Sequence, residues 1–497
     1  MSAVRESSPT EMQVRRAQVA GMLAASLAPE SVLVDRETLK PYECDGLSAY
    51  RETPLVAAIP ANEAEVAVVM RVARETGTPV VPRGSGTGLS GGALPLRDGI
   101  LLSMGKFNRI VEVDVLSRTA RVQPGVTNLR ISQHVAPFGL YYAPDPSSQI
   151  ACSIGGNVAE NSGGVHCLKY GLTVHNILRV RAITIEGDVV DLGSNALDSP
   201  GYDLLALATG SEGLLAVTLE VTVKLLPRPE VAQVVMASFR DVESAGEAVA
   251  NVIGAGIVPA GLEMMDKLAT RAVEDFVHAG YDLEAEAILL AESDGTREEV
   301  AHEIAKMNEI MRASGATDIR VSTSEAERLR FWSGRKAAFP AVGRISPDYY
   351  CIDGSIPRGA LSNVLRRTAE LSQHYRLRCA NVFHAGDGNL HPLILYDANV
   401  PGELERTESF AADLLELCIK VGGTITGEHG VGIEKINQMC SQFPPAELAQ
   451  FRAVKAAFDP EGLLNPGKMV PTLHRCAEYG AMRVRGGALP FPDLPRF

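Results

Sequence analysis

Two stretches of this 497-residue chain set histidine and glutamate into glycine-punctuated turns. The first reads Asn381-Val382-Phe383-His384-Ala385-Gly386-Asp387-Gly388-Asn389-Leu390-His391-Pro392. Residues 385–389 have turn chemistry between apolar flanks, so His384 and His391 are expected to face each other across a hairpin. The second reads Gly422-Gly423-Thr424-Ile425-Thr426-Gly427-Glu428-His429-Gly430-Val431-Gly432. Glycines on both sides fix Glu428 and His429 in tight backbone. Two histidines and a carboxylate make a ligand set for a divalent cation with open positions. Such a cation lowers the pKa of a bound hydroxyl, and His429, beside the ligand Glu428, is then free as a general base. Taken singly, each histidine also fits a structural role; the metal reading rests on the three together.

A second kind of chemistry is written in glycine. The run Val80-Val81-Pro82-Arg83-Gly84-Ser85-Gly86-Thr87-Gly88-Leu89-Ser90-Gly91-Gly92 holds five glycines in nine residues. Glycine reaches φ > 0 freely and adds no side chain, so such backbone approaches a ligand closely. Its successive N–H groups suit an anion, usually a phosphate or pyrophosphate. A P-loop is excluded because no lysine follows the glycines. The formal G-x-G-x-x-G at Gly86, Gly88 and Gly91 needs a helix opening at the third glycine. Here Ala93-Leu94-Pro95 and Arg97-Asp98-Gly99 lead into another strand, so the dinucleotide match is accidental. A second glycine-dense loop, Cys152-Ser153-Ile154-Gly155-Gly156-Asn157-Val158-Ala159-Glu160-Asn161-Ser162-Gly163-Gly164, is followed by Tyr170-Gly171. Two such loops in one domain point to a long ligand threaded between them.

The elements that must hold these turns are legible in the periodicity. Residues 1–50 read as a polar, helical N-terminal arm. From 51 to 229 short apolar runs alternate with turns, predicting strands at 56–59, 79–82, 100–103, 110–115, 119–122, 180–185 and 214–226, with a helix at 63–76. Leu225-Leu226-Pro227-Arg228-Pro229 reads as a boundary. From 230 to 470 strands alternate with helices expected at 242–255, 297–314, 361–374 and 403–421, the last stopped by Gly422-Gly423. This half reads as an α+β domain with an antiparallel sheet, and 471–497 as a tail.

Composition narrows the classes. The chain is 46% hydrophobic and 22% charged with a net charge of −13. It shows no basic run, so no nucleic-acid partner is expected. No stretch of about 18 apolar residues predicts a transmembrane segment. The apolar run 19–28 follows Glu6 and Glu11 and reads as an amphipathic helix, not a signal peptide. Eight cysteines are scattered without a C-x-x-C pair. That spacing offers no iron–sulfur site and fits a reducing, cytoplasmic compartment, with Cys152 and Cys167 as buried thiols.

The two loops, with Gly210-Ser211-Glu212-Gly213 and Val217, resemble the vanillyl-alcohol-oxidase/PCMH flavoprotein superfamily. The resemblance implies a PCMH-type FAD-binding domain of two α+β subdomains, followed by an α+β cap domain. It assigns Arg83, Gly84, Ser85, Gly86, Thr87, Gly88, Ser90 and Gly91 to the pyrophosphate. Pro144, Asp145, Ser148, Gly155, Gly156, Asn157, Ser162, Gly163, Gly164, Tyr170 and Gly171 fall to the second, flavin-lining region. Glu212, Gly213 and Val217 match contacts near the pyrophosphate and adenine, and Asn465 a residue near the flavin. Many relatives bond the flavin covalently to a histidine in the first loop. This loop has none, so non-covalent FAD is expected.

The later segments resemble the FAD-linked 2-hydroxy-acid dehydrogenases. These include D-lactate and D-2-hydroxyglutarate dehydrogenases and the FAD-linked subunit of bacterial glycolate oxidase. The runs Gly334-Arg335-Lys336-Ala337-Ala338-Phe339-Pro340 and Phe458-Asp459-Pro460-Glu461-Gly462-Leu463-Leu464-Asn465-Pro466-Gly467-Lys468, continuing to Cys476, are similar to the last of these. The resemblance implies a divalent metal, Zn or Mn, on His384, His391 and Glu428, with His429 as base. Arg335 would pair bidentately with the substrate carboxylate. Where the hydroxyglutarate branch has a lysine this chain has Cys351, and where it has an asparagine, Leu393; fewer polar groups fit a substrate with one carboxylate. Trp332 and Phe339 either wall a small pocket or pack in the core. The implied activity is oxidation of a short 2-hydroxy acid, glycolate to glyoxylate, by hydride transfer to flavin, with D-lactate as the alternative substrate. Electrons would pass to a second FAD-binding-type subunit, an iron–sulfur subunit and quinone. Those partners would hold a cytoplasmic protein at the inner face of a bacterial plasma membrane. A non-catalytic scaffold would tend to have lost His429 or Arg335, and both are present.

Overall fold

The computed structural model describes residues 9–196 and 201–472, so the tail from 473 onward lies outside it. The helix Pro9–Ala24 buries Val19 and Leu23, which recur with Leu27 at four-residue spacing, and packs on the helix Glu63–Thr76. That second helix starts where the Asn62 side chain accepts from the Glu65 amide and ends at Gly77 with φ of 61°. Among the described residues no helix is long and apolar enough to cross a membrane.

The first sheet has the strand order Val32–Leu33, Val56–Ala58, Ile100–Ser103, Val80–Arg83. The last two run parallel, with Val80 opposite Ile100 and Arg83 opposite Ser103. The chain therefore leaves the carboxyl edge of this sheet at Arg83 and enters the first glycine loop. No helix follows Gly92; irregular chain leads into Ile100–Ser103, as the sequence requires. Late in the chain, residues 463–465 return to this sheet. Val80 N donates to Leu463 O at 2.8 Å and Asn465 N to Val80 O at 2.7 Å.

The second sheet is antiparallel: Ile110–Asp114, Thr119–Val122, Val217–Lys224, Ile177–Ile183, Val189–Gly193. One expectation needs correction beside it. Residues 152–164 are not wholly a loop, because Ile154–Glu160 is a helix. The Ser153 hydroxyl caps it by accepting from Gly156 N at 3.4 Å, and Asn161 closes it at φ of 53°. Ile154 and Val158, one turn apart, are buried, and that packing overrides the poor helix propensity of two glycines.

The third sheet has seven antiparallel strands in the order Asp318–Val321, Val231–Phe239, Ala287–Gly295, Gly261–Asp266, Arg378–Phe383, Pro392–Tyr396, Asp348–Cys351. Strand alternation splits its core in two. Val235, Ala237 and Phe239 face one cluster with Val249, Leu361 and Phe410. Val234 and Met236 face the other, with Phe331 and Trp332. The fold is thus α+β, with two smaller sheets followed by one large antiparallel sheet. The neighbouring strands Gly261–Asp266, Arg378–Phe383 and Pro392–Tyr396 carry or adjoin Glu263, His384 and His391.

Candidate active site

A cavity of about 370 Å³ lies where the two glycine-rich segments meet. Residues Arg83, Gly84, Ser85, Gly86, Thr87 and Gly88 line one side. Ser148, Gly155, Gly156, Asn157 and Ser162 line another, with Glu212, Gly213 and Val217 between. The size suits a small-molecule site. A side chain at Gly84 would collide with the Ser153 hydroxyl that caps the helix, so this backbone must stay bare.

The other residues assigned to the cofactor brace these walls. Ser90 O accepts from Ile433 N and Glu434 N at 3.0 and 3.2 Å, and a Cβ on Gly91 would stand 2.5 Å from Ile433. Pro144 O accepts from Asn128 at 3.0 Å. Asp145 pairs with His166 Nδ1 at 2.8 Å, and a Cβ on Gly164 would press on the Asp145 backbone. Tyr170 donates to Asp294 at 2.7 Å, and Gly171 packs on His175. A Cβ on Gly163 would stand 2.5 Å from Glu428 Oε2. Asn465 donates to Gly92 O at 3.0 Å and Glu212 O at 2.7 Å, tying the returning chain to the loop.

The histidines come together as the hairpin reading requires. His384 directly follows the strand Arg378–Phe383, and its amide donates to Asn389 O at 3.0 Å. Its ring centroid is 4.9 Å from that of His391. Glu428 Oε1 lies 2.9 Å from His391 Nε2 and 3.4 Å from His384 Nε2. One donor from each of the three falls within 4.8 Å of the others. Burial alone would raise the Glu428 pKa, but hydrogen bonds from both histidines outweigh it and hold the carboxyl well below its usual range. His429 stacks on His391 with ring planes 8° apart, and its Nδ1 has no hydrogen-bond partner. Burial pushes the His429 pKa down to about 4, against the pull of Asp353, so the ring is neutral near pH 7.

Two carboxylates that the sequence reading missed shape this cluster. Asp353, fully buried, accepts from His429 N at 2.9 Å, Glu428 N at 3.1 Å, Gly427 N at 3.1 Å and Lys435 Nζ at 3.2 Å. Glu263, 1% exposed, accepts from Arg335 Nε at 2.7 Å through one oxygen and lies 2.8 Å from His384 Nδ1 through the other. The signal for both was present: each is a lone acid inside an apolar run.

Arg335 ends the helix Glu325–Lys336 and is 1% exposed. With Nε taken by Glu263, its Nη2 is left without a partner. Lys336, Phe339 and Pro340, rather than Arg335, line the cavity. Trp332 is buried and donates to Glu292, so it packs while Phe339 walls. Cys152 and Cys167 are buried free thiols.

The halves are locked where they meet. Glu212, in the cofactor wall, accepts from Val431 N at 2.6 Å and Gly432 N at 2.7 Å. His391, Glu428 and His429 consequently open into the same cavity as the first glycine loop. Residues 54–193 match the model of an FAD binding domain, and residues 228–469 that of the FAD linked oxidases' C-terminal domain. This chain belongs to the FAD-linked oxidase family. FAD is accordingly the cofactor of this oxidoreductase, and the bare backbone between the loops fits it. The oxidase is 64% identical over 94% of its length to the glycolate oxidase subunit GlcD of Escherichia coli K12, covering 93% of that protein. It is 37% identical to GlcD of Bacillus subtilis, over 86% of this chain and 91% of that one. A D-lactate dehydrogenase of Archaeoglobus fulgidus is 33% identical, over 83% of this chain and 91% of that one. Among solved structures, p-cresol methylhydroxylase with substrate bound shares the fold at a TM-score of 0.80 and 18% identity, covering 93% and 98% of the two chains. The 4-ethylphenol oxidase of Gulosibacter chungangensis does so at 0.78 and 17%, covering 95% and 100%.

Proposed function

We propose that this FAD-linked oxidase converts glycolate to glyoxylate, with His429 as the base. One observation carries the reading: the neutral imidazole of His429, 13% exposed, lines the cavity formed by the glycine loop. The 64% identity to a glycolate oxidase subunit supports glycolate over D-lactate. When bound, FAD supplies the acceptor for the α-hydrogen and its two electrons, and a divalent cation supplies a Lewis acid for the hydroxyl. His384, His391 and Glu428 are the residues that would hold the cation; their convergence and softness suit Zn or Mn. Glu263 fixes the His384 ring through Nδ1, as outer partners of metal-binding histidines do. Arg335, with its free Nη2, and the adjacent Lys336 supply positive charge for the carboxylate. Arg335 itself lies behind the cavity wall with Nε held by Glu263, so it acts on the carboxylate from behind while Lys336 lines the cavity. His429, which lines the cavity, takes the hydroxyl proton on its ring. The first loop carries no histidine, which supports non-covalent FAD.

The assembly reading follows the relatives. The chain would act as one subunit, passing electrons to a second FAD-binding-type subunit, an iron–sulfur subunit and quinone at the inner face of the membrane. Anaerobic addition of glycolate to the purified chain tests the core claim. Bleaching of the flavin band is expected, faster than with D-lactate by about 1–3 kcal/mol of discrimination for one methyl. A flavin that no 2-hydroxy acid bleaches would sink the reading.

A further inference from the structure

His391 belongs to two sets of donors. The Cys351 sulfur and one ring nitrogen each of His391 and His429 lie within 4.8 Å of one another. This set shares His391 with the His384–His391–Glu428 set and replaces a carboxylate by a thiol. Two observations mark its donors as available. Among the described residues, Nδ1 of His391, which is 2% exposed, has no hydrogen-bond partner, and Nδ1 of His429 has none either. The Cys351 thiol makes only a long 3.7 Å contact to the Ile352 carbonyl. A separate cavity of about 100 Å³, walled by Gly46, Leu47, Leu89 and Tyr349, also reaches Cys351.

We infer that Cys351, His391 and His429 form an alternative site for thiophilic divalent cations, and that filling it removes His429 from catalysis. The loss of activity rests on the reading of His429 as base; the binding does not. Ligand softness separates the sets: two imidazoles and a carboxylate accommodate a harder ion such as Mn²⁺, whereas a thiolate with two imidazoles favours zinc or cadmium. Because both sets need His391, cations in them compete. The same metal pool therefore supports or silences the enzyme according to its chemistry.

The geometry sets what must move. Zinc–sulfur and zinc–nitrogen bonds of about 2.3 and 2.0–2.1 Å at a tetrahedral angle put sulfur and nitrogen roughly 3.5 Å apart. Donors spread over as much as 4.8 Å must close by about 1 Å. The His429 ring, now parallel to His391, has to turn so that its lone pair converges. Its Nδ1 breaks no hydrogen bond in doing so. On binding, the thiol S–H bond breaks, its proton leaves to solvent and an S–metal bond forms. No electrons are transferred.

The test is a Cd²⁺ titration of the FAD-loaded full chain. It follows the ultraviolet thiolate-to-cadmium charge-transfer band without substrate and, separately, flavin reduction by glycolate. Band growth and loss of reduction should track each other. Cys351→Ser should remove the band and shift inhibition roughly tenfold or more to higher cadmium, relative to its own uninhibited rate. His384→Ala should keep the band. Retained FAD confirms the fold of each variant, and Cys351→Ala repeats the test should the serine variant lose it. A band undiminished in the Cys351 variants, or superimposable inhibition curves, would overturn the site. If glycolate reduces no flavin in the parent, the functional reading fails, while the band still decides the binding.

Discussion

The loop at 82–92 and the turn at 427–432 are both glycine-rich and meet in one cavity, yet glycine faces that cavity in the loop and serves mainly to admit protein groups in the turn. In the loop, Gly84, Gly86 and Gly88 line the cavity; Gly88 leaves open space, while Cβ atoms on Gly84 and Gly86 would also strike the Ser153 and Arg83 side chains. In the turn, missing side chains let other residues grip the backbone. Asp353 takes three successive amides at 427–429, Glu212 takes the pair at Val431 and Gly432, and a side chain on Gly430 between them would overlap Glu160. Glycine density therefore marks a close approach without saying whether a ligand or the protein approaches. The loop is shaped for a guest, and the turn is clamped by its host.

The largest expected effect breaks the comparison on the chemical side. His429→Ala should slow flavin reduction by glycolate about 10²–10⁴-fold while FAD stays bound, read by anaerobic stopped-flow. Loss of FAD instead would make the turn part of the cofactor seat. Asp353→Asn loosens the clamp and leaves Lys435 with Glu434, 3.4 Å away, as its remaining charge partner. Denaturant unfolding should show a loss of about 1–3 kcal/mol, from weakened hydrogen bonds to the turn amides. An unaltered midpoint would mean that the turn holds itself.

A matched pair of glycine substitutions sharpens the distinction. Gly84→Val should deplete co-purified FAD, whereas Gly430→Val should retain FAD and cost on the order of 1–3 kcal/mol in strain at its φ of 81°. If both lost flavin equally, the two segments would be one binding surface. The smallest effect lies at the seam between the halves, where His166 lies 2.8 Å from Asp145 and 3.3 Å from Glu292. Burial alone would lower the His166 pKa, but the two acids outweigh it and raise it well above the ordinary value. Its stabilisation is therefore fully present below roughly pH 6.5 and fades as pH climbs through the raised folded value. Glu292, held at about 2 against burial by His166 and Arg328, would fade in the opposite direction, as pH falls below roughly 4.5. His166→Gln should cost about 1 kcal/mol at pH 6 and flatten the alkaline limb of the Tm profile. An unchanged limb would remove His166 from the seam.

What the sequence made legible was local. The helix Glu63–Thr76 and the strand Ile100–Ser103 coincide with their expected bounds, because a cap, a stop glycine and an apolar run are short-range signals. The facing of His384 and His391 follows from a turn of a few residues. What stayed hidden was contact across the chain. Glu263 meets both His384 and Arg335 only once three distant segments share a sheet and its covering helix, so the partner of Arg335 was invisible. The helix Ile154–Glu160 was misread because its glycines speak against it, and its stability comes from a buried face that only the second sheet provides. Lys336 escaped for the same reason: which of two adjacent cations reaches the cavity depends on how the helix Glu325–Lys336 is seated.

The return of residues 463–465 to Val80 has a consequence for biosynthesis. During translation the strand Val80–Arg83 emerges first, and the segment that covers its free edge, with the Asn465 that braces Gly92, comes off the ribosome only after the whole intervening lobe. The nascent cofactor lobe must wait, unfinished, while the whole substrate lobe is made between its two parts. Flavin capture is then an event that follows synthesis of the intervening lobe, and a chain cut short before residue 463 would emerge without the wedge that closes the loop around its guest.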